Sequence, residues 1–599
     1  MSGLFHQVDL PAGGHIQDWR QEWSFRRQYI VDCQHPAASD VNPGTDEAPF
    51  KTINAAAALV GPGEQVLIKD GCYRECVWPR RGGTGPDAVI RYAAYPGHRP
   101  VISASKVIDG AWLRHPAQHG VFTVSLPLSF FPYMPPSVLA NLSDAQYIGM
   151  ASHYHGYYSN FRGQEPYVFK RALLIHDGMR LTQVRDPFAV SRCAGSYCID
   201  DDGLTVHVRL REDADPNACR IEISQHHQCF APALPGLNYL IVEGLTCEHA
   251  GGGFAYPMQG AMSPSYGHHW VFYGNTVRCC NGIGIDVGMQ LNACGDFFPE
   301  GGGGYIVARN VIEDCGFAGL EGSHVVDTVV EYNTIRRCCW YNTELNYENG
   351  GIKLLYNRNV LVRNNHIHDI AHANAIWMDW DCENTRVSGN LCHHIESMFG
   401  AIFLEASLHH NRIDGNVIWS GIGNGIYQHD CDRLLIDHNL IGCCSGFAIK
   451  MWLNPGRTLN GERCRSEDNH VVDNWYYHTG GAHHLYSLVN QVERNIRVVE
   501  EEDPGGEVAI LDTIDGPLIP VSQQQREQLQ QAGPGHVVEA SLGRFTVEID
   551  ETARSLRITE HPSRAELTWP SEDAPPWAQA RGRWYTLAVG FDAVGQSEV

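Results

Sequence analysis

Isoleucine recurs at Ile352, Ile376, Ile402, Ile426 and Ile449, roughly every 25 residues, each time inside a short Gly/Ala-rich, strand-like segment. A period of that length with one short strand per repeat predicts a parallel β-solenoid, each rung burying its apolar face on its neighbours. A second series follows the same beat: Asn275, Asn310, Asn333, Asn365, Asn390, Asn416, Asn439 and Asn474. A fixed step beyond four of these asparagines stand Cys280, Cys315, Cys338 and Cys444, while Ile370 and Ile395 fill that slot on other rungs. Cysteine exchanging with isoleucine behaves as a small buried hydrophobe, so this stack predicts core.

The rhythm also divides the chain. Residues 27–105 read as the first turns of the solenoid, with a turn at 40–45, a short helix opened by 49–53 and running through 55–59, and strands at 65–69 and 88–92. A helix there would cap the open end of the stack. Over 106–228 the rhythm stops, and alternating segments at 204–210 and 220–224 suggest an inserted antiparallel β-sandwich. It resumes over 229–495, the main β-helix. Residues 496–599 read as an appendage on the last rungs, with a Gln-rich helix near 522–532 and strands at 544–549 and 555–559.

Strand parity then selects candidate chemistry. Alternation through residues 376–381 puts Ile376, Met378 and Trp380 on one face and Trp377, Asp379 and Asp381 on the other. The same count pairs Phe403 with Glu405. Extended to every rung, the solvent side carries a row Glu321, Lys353, Trp377, Phe403, Tyr427 and Lys450, and beside it a row Asp379, Glu405, His429 and Trp452. That is a trough with aromatic platforms, central carboxylates and a few cations, suited to sugar rings. Adjacent rungs lie ~4.7–4.9 Å apart, close to the ~5–5.5 Å between the two carboxylates of a retaining glycosidase. Asp381 shares the face of Asp379 and rivals it as the reacting group.

Composition narrows the substrate. The formal net charge of −24 on 599 residues disfavours nucleic acid and anionic membranes, and weighs against polyanionic polysaccharides. A small neutral oligosaccharide is the expected partner, with a homo-oligomer also compatible. No apolar leader follows a basic start and no run approaches a membrane span, so a cytoplasmic protein with its 20 cysteines reduced is expected. The pairs His153/His155, His393/His394 and His409/His410 lack coherent ligand spacing, and no cysteine pair matches a zinc pattern, so neither metal nor cofactor is expected.

At these residues the chain resembles glycoside hydrolase family 120, β-xylosidases built on a right-handed parallel β-helix interrupted by a β-sandwich. The resemblance rests on Asn42-Pro43-Gly44-Thr45, Gly71-Cys72-Tyr73-Arg74-Glu75 and Pro79-Arg80-Arg81-Gly82-Gly83 near the start. In the core it rests on Gly322-Ser323-His324, Gly350-Gly351-Ile352-Lys353, Ile376-Trp377-Met378-Asp379-Trp380 and Ile402-Phe403-Leu404-Glu405. It implies Asp379 as nucleophile, Glu405 as acid/base and Glu348 as a further carboxylate near the sugar. The stretch around Ser397-Met398-Phe399-Gly400 makes the interval between the catalytic pair slightly longer than the family's.

The expected reaction is attack by Asp379 on the anomeric carbon while Glu405 protonates the departing oxygen, then hydrolysis of the glycosyl-enzyme. Glu405 must then be the partner of higher pKa, and Lys353 beside Asp379 should keep that nucleophile ionised. His324 and Glu348 are candidate hydroxyl ligands, with Trp377, Phe403, Tyr427 and His429 lining the sugar. The sandwich would close one end of the trough and favour exo action. Two other classes remain: a polysaccharide lyase using Lys353 or Lys450 as base, and a non-catalytic carbohydrate-binding β-helix.

Overall fold

The structure, a computed structural model, describes residues 9–133, 172–252, 259–289, 303–341 and 349–499 with short breaks at 478, 485–488 and 494, and isolated strands beyond 508. Parallel strands stack into a β-helix with three faces. One face is a thirteen-stranded parallel sheet from Arg27–Val31 to Gln491–Glu493. A second runs through Thr276–Arg278, Val311–Glu313, Thr334–Arg336 and His366–Ala371. The third runs through Ile283–Gly288, Ala318–Ser323, Gly350–Leu355 and Asn374–Asp379. Two long strands, Leu391–Glu405 and Val417–His429, cross the second and third faces without a break.

The isoleucine series is the inward position of the third face. Ile352, Ile376, Ile402, Ile426 and Ile449 are successive register partners and all are buried. Period-2 alternation along each strand and one strand per rung reproduce the repeat read along the chain.

Between the faces the backbone turns through left-handed residues. The residue before each ladder asparagine has positive φ: Gly274, Arg309, Tyr332, Asn364, Gly389, Gly415, His438 and Asp473. Non-glycine residues pay roughly 1–2 kcal/mol for that conformation. The asparagine amide offsets it by bonding corner groups that no strand can reach. Asn365, for example, donates to Val330 O at 3.0 Å and to Asn390 Oδ1 at 2.9 Å, and accepts from the Asn333 backbone N–H at 3.0 Å. The same amide-to-amide chain links every rung from Asn275 to Asn495. A second left-handed corner at Cys279, Asp314, Arg337, Asp369, His394 and Cys443 turns the next residue inward. That residue is Cys280, Cys315, Cys338, Ile370, Ile395 or Cys444, all buried in one core. Among the described residues every cysteine is a free thiol.

The short helix Ile53–Ala57 starts at Ile53 because the Thr52 hydroxyl caps it by accepting from Ala55 N–H at 3.2 Å, and it ends two residues before Leu59. Ile53, Ala56 and Ala57 pack on the first-rung core. The described residues of 105–224 form two sheets. One has four strands centred on Leu174–His176 and Ile221–Ser224; the other has five, centred on Ser196–Ile199 and Thr205–Arg209. They enclose their own core of Phe122, Val124, Leu174, Tyr197, Val206 and Ile223. Entering strand Ser105–Val107 pairs with leaving strand Ile221–Ser224, so the chain enters and leaves the module side by side. Arg74 on the helix side fixes it through Glu222 at 2.8 Å.

The N-terminal segment lies along the outside of the thirteen-stranded sheet, where Trp19 and Trp23 pack over Ile241, Val271 and Ile306. Beyond residue 508, Phe545–Asp550 and Ser555–Glu560 pair antiparallel within a four-stranded sheet. The helix expected near 522–532 lies outside the described residues. Among the described residues no helix is long and apolar enough to cross a membrane.

Candidate active site

The third face carries both rows read from strand parity. The outward positions Glu321, Lys353, Trp377, Phe403, Tyr427 and Lys450 are consecutive register partners. One pleat further along, the row Ser323, Leu355, Asp379, then Glu405, His429 and Trp452 ends each strand. Met378 pairs with Leu404, so Asp379 and Glu405 follow in register on adjacent rungs, with backbones ~4.8 Å apart.

The strand stops at this row because the next residue turns left-handed: His324, Tyr356, Trp380, Ala406 and Asp430 all have positive φ. Parity therefore ends at Asp379. Trp380, expected to share the face of Ile376 and Met378, instead packs beside Leu408, Leu453, Leu459 and Cys464 outside the main core. Asp381 leaves the row too. It accepts from Asn460 Nδ2 at 2.9 Å and sits 3.5 Å from His409 Nε2, which together hold its carboxyl below the usual range against desolvation. This separates it from Asp379.

Each carboxylate of the pair has its own cation. Lys353 Nζ lies 3.1 Å from Asp379 Oδ2 and 4.0 Å from the centre of the Trp377 ring, and its side chain is fully buried. Glu405 Oε1 accepts from Arg457 Nη1 at 2.6 Å and lies 3.7 Å from His429 Nδ1. Arg457 also reaches Asp430 Oδ2 at 3.0 Å and lies over the Trp380 ring at 5.2 Å. Desolvation pushes the Glu405 carboxyl up, but His429 and Arg457 outweigh it and hold the group below its ordinary value. A guanidinium that strand patterns do not reveal therefore stands on the residue expected to be the acid of the pair. Asp430, which shares that arginine, is pushed up by desolvation.

The aromatic row is no open platform. Trp377, Phe403 and Tyr427 are all buried, with ring centres 5.1 Å apart for the first pair and 5.0 Å for the second. Such pairs contribute about 0.5–1.5 kcal/mol each beyond burial. Phe399 lies over them, 5.0 Å from Phe403 and 5.6 Å from Tyr427. It arrives there because the register slips between Glu396 and Gly400, and the Ser397 hydroxyl closes the bulge by accepting from the Phe399 and Gly400 N–H groups. The longer interval seen around Ser397–Gly400 is therefore the cover of the row, and the solvent-facing reading of these positions is corrected.

Asp379 and Glu405 keep only a small opening, 11% of each side chain. The Trp377 indole N–H beside them is buried with no hydrogen-bond partner. His324 stands two rungs away at the same corner, stacked on Tyr356 at 4.8 Å, with its Nδ1 2.8 Å from the Ser323 hydroxyl. Glu348 lies outside the described residues. Pattern reading missed Arg457, Asp430 and Phe399. Arg457 lies just before the irregular hairpin Thr458–Leu459/Glu462–Arg463, where no period operates.

A family described as the right handed beta helix region matches residues 265–416. Among solved structures, XylC in complex with xylose aligns with a TM-score of 0.60 at 21% identity, covering 75% of either chain. A structure described as a glycoside hydrolase gives 0.47 at 13% identity, covering 78% of this chain and 96% of the other. A lacto-N-biosidase of family GH136 from Eubacterium ramulus gives 0.41 at 16% identity, covering 78% and 68%. No curated protein matches the chain by sequence. The fold is a right-handed parallel β-helix.

Proposed function

We propose that this chain is a retaining glycoside hydrolase, an exo-acting β-xylosidase of short xylo-oligosaccharides, with Asp379 as nucleophile and Glu405 as acid/base. The observation that carries this reading is the placement of the two carboxylates in register on adjacent rungs, at a spacing fixed by the strand ladder near ~5 Å. The likeness of the fold to XylC, a protein whose structure holds xylose, agrees with it.

In this mechanism the buried Lys353 ammonium stabilises the Asp379 carboxylate before attack on the anomeric carbon. The unpaired Trp377 N–H is a donor for a sugar hydroxyl next to the nucleophile. Glu405 must carry a proton in the first step and accept one from water in the second. Arg457 and His429 favour the ionised form, which serves the second step. In the first step the glycosidic oxygen takes the place of Arg457 beside Oε1, and the guanidinium remains held by Asp430. Lys353 is ill suited to be the base of a lyase, because it is buried and already paired with Asp379.

The test is hydrolysis of p-nitrophenyl β-xyloside by wild type, Asp379→Gly and Asp381→Gly, with and without azide. Loss at Asp379 alone, with azide restoring release as a glycosyl azide of inverted configuration, supports the assignment. A folded wild type that releases nothing from β-xyloside, β-glucoside or α-L-arabinofuranoside refutes it. An ultraviolet-absorbing unsaturated product would point to a lyase.

A further inference from the structure

A second site lies in the inserted sandwich, away from the carboxylate pair. His176 ends strand Leu174–His176, and Asp177 and Gly178 form the two-residue turn into Met179–Arg180, both with positive φ. Cys219 sits just before strand Ile221–Ser224, and the register pairs His176 with Ile221. The turn is tied to that strand by two bonds, Asp177 N–H to Arg220 O at 3.0 Å and Arg220 N–H to Asp177 Oδ1 at 3.1 Å. Three short segments thus hold one imidazole, one carboxylate and one thiol together.

Among the described residues this is the one group of His, Cys, Asp or Glu side chains whose ligand atoms converge, all lying within 4.8 Å of one another. His176 is 7% exposed, yet neither of its ring nitrogens has a hydrogen-bond partner. Buried polar atoms are almost always satisfied, so an orphaned imidazole beside a thiol and a carboxylate marks a missing partner. Asp177 is only 3.4 Å from His176 Nε2. Its side chain is half exposed, with Oδ1 held by the Arg220 N–H and Oδ2 on the side of the imidazole.

We propose that His176, Asp177 and Cys219 bind a zinc ion. Imidazole nitrogen, thiolate and carboxylate suit this borderline-soft cation, whose bonds to them run about 2.0–2.3 Å, so small side-chain rotations close the site. The fourth position is taken by water from the adjoining cavity of about 660 Å³, lined by Asp177, Arg220, Glu222, Glu248, His249 and Arg278. That cavity spans the seam between sandwich and β-helix. Binding converts the Cys219 thiol to thiolate: the S–H bond breaks, a sulfur–zinc bond forms, and one proton leaves to solvent, with no change of oxidation state. The ion would staple the hairpin to the strand that returns the chain to the β-helix.

The experiment is titration of the full chain, stripped of metal, with Co²⁺ as a spectroscopic probe and Zn²⁺ as competitor. Wild type should bind one equivalent with a thiolate-to-cobalt charge-transfer band, and Zn²⁺ should displace it and raise the thermal midpoint. Cys219→Ser should lose the band, His176→Gln should weaken binding at least about tenfold, and Cys193→Ser, another thiol of the module, should do neither. Should His176→Gln fail to fold, Cys219→Ser decides alone, since that side chain is only half buried. A band that survives in Cys219→Ser, or a wild type without saturable binding, overturns the proposal.

Discussion

Replacing Lys353 with methionine tests the electrostatics of the candidate site most directly. Methionine keeps most of the stem's volume and deletes only the ammonium. Lys353 is fully buried and Asp379 keeps 11% of its side chain exposed, so the pair at 3.1 Å is little screened by solvent. Removing one member of a buried pair leaves an uncompensated charge and costs about 3–5 kcal/mol. Loss of the cation over Trp377 acts in the same direction. In the double variant Lys353→Met/Asp379→Asn neither member of this pair remains charged, so about 2 kcal/mol of that loss should return, within the range measured for contacting pairs. Urea midpoints at unchanged slope, taken at pH 7 for wild type, both single variants and the double, measure the cycle. A single variant that costs under about 1 kcal/mol, or a double variant equal to the sum of the singles, would refute the reasoning that Lys353 is held there by Asp379.

Arg457→Met removes the shortest contact of Glu405 and should raise its pKa. As the proposed general acid, Glu405 then stays protonated to higher pH, so the alkaline limb of kcat/KM on p-nitrophenyl β-xyloside moves upward; an unmoved or lowered limb contradicts this. The stability sign follows from the same depression. Wild type gains from ionised Glu405 above its unfolded value and loses that gain as pH falls through the folded one, and the variant's acid unfolding should be less steep. Glu405→Gln should cost ~10²–10⁴-fold in turnover of poor leaving groups, and a loss under tenfold in a folded protein would remove it from the acid/base role. Asn416→Ala strips four hydrogen bonds, to Val387 O and Asn439 Oδ1 and from the Asn390 backbone and side-chain amides, each 2.9 Å. With about 1–3 kcal/mol for each buried group left unpaired, a loss near 4 kcal/mol is expected in the urea midpoint, and a loss below about 1 would mean the ladder is ornamental.

The fold was legible because a solenoid writes its period into the chain. Ile352 to Ile449 mark one inward position per rung, and Asn275 to Asn474 mark one corner per rung. Both are forced, the first by packing and the second by polar groups that a left-handed corner leaves unpaired. The inserted sheets could be placed by the silence of that rhythm. Their pairing could not, since antiparallel partners such as Ser105–Val107 and Ile221–Ser224 lie far apart in sequence with no repeat to link them.

The site was legible only as far as regular strand extends. Parity located Lys353, Trp377, Asp379, Phe403 and Glu405, and it failed one residue later at Trp380, where the backbone turns left-handed and alternation loses meaning. It also could not see what lies above a strand. Phe399 covers the aromatic row from a bulge, and Arg457 reaches Glu405 from just ahead of an irregular hairpin. These are the residues that turn a periodic surface into a site with two differently charged carboxylate environments. One sits against a buried ammonium fixed within the same sheet; the other sits against a guanidinium shared with Asp430 and carried by a loop. In the proposed mechanism Lys353 favours the ionised form of Asp379, and Glu405 must gain and lose its proton within one turnover. The cation on the irregular segment stands on the proposed acid/base and the one on the ladder on the proposed nucleophile, so the two carboxylates can respond independently to a change at either cation.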